Sequence, residues 1–479
     1  GNYPVGTDNV ALGDTALDNI EAGGICNVAI GDHALTDLTT GDCNTAVGKN
    51  ALDSNTTASE NTAVGTNALA SNTTGSLNTA VGVNALLANT TGKCNVGIGL
   101  APLHCNTTGC MNIAVGVQAM RFNQTGCCNT AIGEKALLTN STASNNTAVG
   151  AFALCANTTG CFNIAVGSTA MQNNTVGCQN VAMGMSALCA NTTGDNNVAI
   201  GRLALRENTT ADNNTSVGFC SLYANTTGEE NVALGSNAML DNTTGSRNIA
   251  IGRRSLQENT TAEGNTAVGN SAMQNNTTGA ENVAVGQSAM LTNTTGSFNN
   301  SVGTIALCAN TTGTKNNAFG YGALRCNTTG NNNIAVGHAA LCVNTTGIDN
   351  VAVGCGALKA NVSGEQNVGI GQSSLSLNTA NQNTAVGYFS MLNTTSGNRN
   401  AAVGTDALKA NTTGSNNTTL GYDSVVRNTT GACNVGIGAF ALEDNTTGGR
   451  NVALGYQALD NNTTASFNTA LGAQSLFTN

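Results

Sequence analysis

Apolar and polar positions along this chain recur with one long period rather than with the short period of a single helix or strand. An Asn-x-small-apolar-Gly pentad opens at Asn9, Asn27, Asn44, Asn61, Asn78 and Asn95 and recurs to Asn468, 28 copies in all. The spacing is 17 residues, apart from 18 between Asn9 and Asn27 and 16 between Asn367 and Asn383. With the Asn as position 1, position 3 is small (Ala63, Gly97, Ser216, Thr419) and position 4 is larger and apolar (Val64, Val81, Ile98, Val115, Phe319). Position 5 is Gly from Gly13 to Gly472, and position 9 is Leu, Met or Val, as at Leu69, Leu86, Met120 and Val425. Positions 6, 7, 10, 11, 16 and 17 vary freely and carry nearly all the charge.

A 17-residue unit is too short for a helical-hairpin repeat, which takes about 33 residues or more. Positions 2 and 4 alternate with position 3, which is strand periodicity. Asn-Thr-Thr-Gly at positions 12–15 signals a turn. Each unit therefore predicts a short strand at 2–4, a Gly bend, a second short strand at about 8–11, and a turn. Stacked in register, the units predict an all-β parallel β-solenoid or β-roll of about 28 coils, each bonded to the next at about 4.8 Å. Residues 9–479 read as one continuous repeat domain, preceded by an N-terminal segment, 1–8.

The pattern also predicts what each column does. Val or Ile at position 4 and Leu at position 9 are expected to form two apolar columns inside the coil. Ala at position 3 then faces the other way, against a closely packed backbone. The other half of a flattened coil could supply that backbone, or a neighbouring chain, which is the preferred supplier. Gly at position 5 is expected to hold a positive φ or to allow close backbone approach. Asn at positions 1 and 12 is expected to stack into amide ladders from coil to coil.

Composition narrows the class. Charged residues are 9% of the chain against about 25% in ordinary soluble domains. Trp is absent and aromatics are 3%, so no conventional core can form, while 40% hydrophobic residues argue against disorder. The net charge of −10 opposes nucleic-acid binding, which needs a basic footprint. No apolar run of about 18 residues is present, so no membrane insertion is expected.

Asn-Thr-Ala-Val-Gly, with variants at Asn163-Ile-Ala-Val-Gly167 and Asn197-Val-Ala-Ile-Gly201, resembles the head repeats of YadA-like trimeric autotransporter adhesins. It is also similar to repeats in phage and viral tail-fibre proteins. The resemblance implies a left-handed parallel β-roll, association of three chains, and a role in surface attachment. The 17-residue coils are longer than that family's, and its coiled-coil stalk and membrane anchor are missing from this sequence.

Little in the sequence points to catalysis. His33, His104 and His338 lie many coils apart, and the carboxylates are mostly single, so no acid–base pair, cofactor site or metal site is proposed. The chain is expected not to be an enzyme. Of 17 Cys, Cys26 and Cys43 each sit just before the Asn that opens the next coil, and Cys110 with Cys127 and Cys161 with Cys178 stack at position 16. Equivalent sites on adjacent coils fall within disulfide range. Two readings stand: inter-coil or inter-chain disulfides in an oxidising compartment, or small residues drifting through variable slots. Asn-x-Thr sequons at Asn55, Asn72, Asn89, Asn106, Asn157 and Asn191 read as a turn ladder, or as glycan acceptors in a secretory host. Threonine pairs such as Thr73 and Thr74 raise ice binding as a weaker reading, because consecutive residues face different ways.

The ends suggest self-association. Residues 1–8 carry an echo of the motif around Tyr3, Pro4 and Val5, and the last unit, with Leu476 and Phe477, stops at position 12. An N-terminal segment donated to the next subunit would build a head-to-tail filament; a fragment of a longer fibre would show the same ends. The expected function is a structural subunit of an extracellular filament. The alternative is a homotrimeric adhesive fibre on a virion or cell surface, binding glycans or a receptor.

Overall fold

A computed structural model describes residues 7–21 and 23–478. Among them are 28 strands of three residues, one per repeat at positions 2–4, and no helix. The coils fall into two compact units, Gly1–Thr244 and Gly245–Asn479. The first holds β1 (Val10–Leu12) to β14 (Val232–Leu234), the second β15 (Ile249–Ile251) to β28 (Thr469–Leu471). Within each unit successive strands pair parallel and residue for residue: Thr45 with Thr62 and Thr62 in turn with Thr79, Ala46 with Ala63 and Ala63 with Ala80, Val47 with Val64 and Val64 with Val81. The fold is an all-β parallel β-solenoid with one turn per repeat.

Backbone pairing continues around the whole coil, which is how so thin a structure satisfies its buried polar groups. In the coil that opens at Asn61, Thr62 N–H donates to Asn78 O of the next coil (2.8 Å) and Gly65 N–H to Val47 O of the previous one (2.8 Å). Leu69 N–H then reaches Ala85 O (3.0 Å), Thr73 N–H reaches Thr90 O (2.9 Å), and Leu77 N–H turns back to Ser59 O (3.2 Å).

The second strand expected at positions 8–11 does not form; that stretch is a run of turns. Positions 7 and 9 are left-handed, as at Asn67 (φ 57°) and Leu69 (φ 52°). Packing supplies the reason. Ala68 and Leu69 are both fully buried, and consecutive residues of a strand cannot share a face. Left-handed backbone turns both inward, at roughly 1–2 kcal/mol per non-Gly residue. Burial of the Leu side chain, about 1.5–3 kcal/mol, offsets it.

The expected inner column at position 4 is also wrong. Ala46, Ala63 and Ala80 at position 3 are fully buried, whereas Val64 at position 4 is 37% exposed and Ile113 at position 2 is 41% exposed. Gly97 shows what position 3 faces: a Cβ there would lie 3.4 Å from Leu86 Cγ of the preceding coil and from Pro102 Cγ of its own. The opposite wall of the same solenoid, not a neighbouring chain, holds position 3 to a small residue. The core is thus three columns, mostly Ala at 3, mostly Ala at 8, and Leu, Met or Val at 9. Position 5 behaves as anticipated. Gly65 has φ 135°, and an added Cβ would lie 2.5 Å from Gly82 O.

Candidate functional site

Two buried amide ladders are the most regular chemical feature. At position 1, Asn78 N–H and Nδ2 both donate to Asn61 Oδ1 (2.9 and 3.2 Å), and Nδ2 also donates to Gly92 O (2.9 Å). Asn95 repeats the arrangement on Asn78 Oδ1. At position 12, Asn72 Nδ2 donates to Asn55 Oδ1 and to Gly75 O, both at 2.9 Å. The sequence anticipates both ladders.

The candidate sequon residues Asn55, Asn72, Asn89, Asn106, Asn157 and Asn191 all lie in the second ladder and are fully buried. Nδ2, the atom a glycan would need, is bonded in each of them to the carbonyl three residues on. The neighbouring Thr73 hydroxyl is also engaged, donating to Thr90 O (3.1 Å).

The second ladder has a fault in the second unit. The coil 367–382 is one residue short in its turn, and Asn378 Nδ2 bonds Ala380 O two residues on. Asn361 Oδ1 is buried without a hydrogen-bond partner. In the following coil Thr394 occupies the ladder position, and its buried Oγ1 has no partner either. Here the Asn-Thr-Thr motif has slipped by one residue, so Asn393 stands where position 11 should be.

The candidate cysteines come together as their columns predict. Cys110 and Cys127 Sγ atoms lie 2.8 Å apart, and those of Cys161 and Cys178 3.2 Å apart. Cys26 contacts Cys43, and its thiol is pushed up by burial and by that neighbour. All are thiols here. Position 16 proves to be more than a free slot. Its backbone N–H donates to the position-16 side chain of the next coil: Asp42 to Ser59 Oγ (3.0 Å), Cys110 to Cys127 Sγ (3.1 Å), Cys127 to Ser144 Oγ (2.9 Å) and Cys178 to Asp195 Oδ1 (2.6 Å). The enrichment of position 16 in Ser, Asp, Asn and Cys is a readable signal that variability alone conceals.

The outer surface carries two further features. Positions 2 and 4 place β-branched aliphatics such as Ile98, Ile132 and Ile164 on the exposed strand face. In the second unit Tyr422, Phe440 and Tyr456 make successive edge contacts with centroids 5.4 and 6.0 Å apart. Close by, Arg427 pairs with Asp444 and Glu443. Tyr at position 6 of three nearby coils (Tyr388, Tyr422, Tyr456) is the signal for this patch.

The histidines do not converge. His33 contacts Thr15 Oγ1 through Nδ1 (3.0 Å), His338 stacks on Tyr321, and His104 has its pKa lowered by burial and then by Arg121. Among the described residues no group of three or more His, Cys, Asp or Glu is placed to hold a metal ion, and no helix is long and apolar enough to cross a membrane. One open concavity lies beside Arg247, Glu263 and Glu281. Leu476 and Phe477 are exposed, and Phe477 O accepts from Asn461 Nδ2 (3.0 Å). Tyr3, Pro4 and Val5 lie outside the described residues. Thr7 O accepts Cys26 N–H (3.1 Å) and so pairs as part of the repeat.

No protein-family model matches the chain, and no curated protein does.

Proposed function

We propose that the chain is a non-enzymatic structural subunit of an extracellular filament, assembled by coil stacking. The directional amide ladder carries this reading. Within a stack a position-1 Asn donates to the coil before it and accepts from the coil after it, as Asn78 does between Asn61 and Asn95. Heterologous contacts of this kind, where they do not close into a ring, extend into open filaments. Backbone groups at an uncovered end of such a stack offer the same pairing to another copy.

A second reading, a homotrimeric adhesive fibre like those the YadA-type motif suggests, draws on the exposed aliphatic columns at positions 2 and 4. Position 4 is apolar in every coil, while position 2 alternates between aliphatics such as Ile113 and polar residues such as Thr62 and Asn300; an exposed apolar column of this kind favours lateral association. The Tyr422, Phe440 and Tyr456 patch would then be the first surface to test against glycans. Chemical crosslinking and sizing of dilute protein separates the two. An open ladder of masses supports the filament and discrete trimers support the adhesive fibre. Monomer at every concentration contradicts both.

A further inference from the structure

Among 17 cysteines, three pairs stand in one column on adjacent coils, Cys26 with Cys43, Cys110 with Cys127 and Cys161 with Cys178, and in the last two the sulfurs face each other. Stacked backbones lie about 4.8 Å apart, within the roughly 4.4–6.8 Å that a disulfide accepts between Cα atoms. The Sγ separations of 2.8 Å for Cys110 and Cys127 and 3.2 Å for Cys161 and Cys178 need close by only about 1 Å to reach bonding distance. All four side chains are half-buried, so a small reagent can reach them. The cysteines outside these three pairs fail this geometry. Cys155 and Cys189 share position 10, and Cys94 and Cys128 share position 17, but each pair is two coils apart. Cys326 and Cys342 are on adjacent coils but in different columns.

We propose that Cys110 with Cys127, and Cys161 with Cys178, are inter-coil disulfide sites, closed by exchange with a small-molecule disulfide such as oxidised glutathione. One protein thiol loses its proton, and its thiolate attacks the reagent's S–S bond. That bond breaks, a reagent thiolate leaves, and a mixed disulfide forms. The second protein thiolate then attacks the protein sulfur of the mixed disulfide and expels the second reagent thiolate. In sum, two protein thiols lose two electrons and two protons, and one reagent disulfide becomes two thiols. The hydrogen bond with Cys127, followed by burial, pushes the Cys110 thiol up to about 11. The same two causes raise Cys161, through Cys178. Exchange therefore speeds up as pH rises above neutral.

Each link closes one coil onto the next, so it resists opening of that rung without touching the ladders. Position 16 also keeps its bond to the preceding coil when Ser replaces Cys, as Ser59 and Ser144 demonstrate. Cys127→Ser is therefore expected to fold.

The test treats the folded full chain with oxidised glutathione at mildly alkaline pH, quenches by alkylation in acid, and cleaves without reduction at Arg121 and Met171, which separate the members of each pair. Mass spectrometry is expected to find Cys110 linked to Cys127 and Cys161 linked to Cys178, each link two hydrogens lighter than the free thiols and lost on reduction. In Cys127→Ser, with an unchanged far-ultraviolet spectrum, Cys110 is expected to carry a glutathione adduct instead. Adducts or alkylated thiols at all four wild-type positions, or links to cysteines of other columns, would overturn the proposal.

Discussion

Replacing Asn78 with Ala removes one rung of the position-1 ladder and leaves the backbone course unchanged. The Asn78 amide joins four hydrogen bonds: Nδ2 to Asn61 Oδ1 and to Gly92 O, and Oδ1 from Asn95 N–H and Nδ2. Most of the partners keep another bond. Asn61 Oδ1 retains Asn78 N–H (2.9 Å), Gly92 O retains Asn89 Nδ2 (3.0 Å), and Asn95 Nδ2 retains Gly109 O (2.9 Å). Asn95 N–H is left buried and loses its acceptor, which costs about 1–3 kcal/mol; the thinned bonds around it add about 1 kcal/mol. A local loss near 3 kcal/mol corresponds to roughly 100-fold faster amide exchange through opening of that rung. Because each coil touches only its neighbours, the effect is confined to the coils around Asn78 and Asn95. Hydrogen–deuterium exchange read by mass spectrometry resolves this. Unchanged protection at those coils, or a uniform loss across all coils of the first unit, would refute the reasoning.

Gly65→Ala places a Cβ 2.5 Å from Gly82 O at φ 135°, a conformation that L side chains rarely adopt, so a local loss of about 3 kcal/mol or more is expected. A lowered urea midpoint for the first unit checks it. Thr394→Asn is expected to stabilise the second unit by about 1–2 kcal/mol, seen as a raised urea midpoint. The new amide would offer Asn411 Nδ2 the acceptor that Asn411 Oδ1 already offers Asn428 (2.9 Å), and it removes the unpartnered Thr394 hydroxyl. Glycan attachment at Asn72 is expected to be incompatible with the folded coil, because its Nδ2 is buried and doubly bonded. Peptide mapping of folded protein from a glycosylating host should show Asn72 unmodified; a glycan there would contradict the ladder.

The sequence makes the fold legible because its repeats stand in for an alignment. Invariance of Asn61 and its equivalents and of Gly65, and the restriction of the Leu69 position to Leu, Met or Val, mark the columns that stacking constrains. The assignment of faces was not legible in the same way. Val64 is β-branched and apolar, which suits any pleated strand whether its face is buried or open, and Ala63 gave no hint of burial by size. The adjacent pair Ala68 and Leu69 held the missing clue, since two consecutive buried residues exclude an extended strand. Position 16 was obscured differently: Cys127, Ser144 and Asp195 look unrelated, yet each is a short side chain that accepts a backbone N–H of the preceding coil. The aromatic patch at Tyr422 and the ladder fault at Thr394 are departures from the repeat, and only packing shows their consequences.

The central claim is that each 17-residue repeat makes one rung and stacks directly on the next. X-ray diffraction from an oriented film of the purified chain measures that rise. The account requires a strong reflection near 4.8 Å along the stacking axis, the spacing of hydrogen-bonded strands. A pattern without it, or one dominated by the roughly 5.4 Å pitch of an α-helix, would contradict the account.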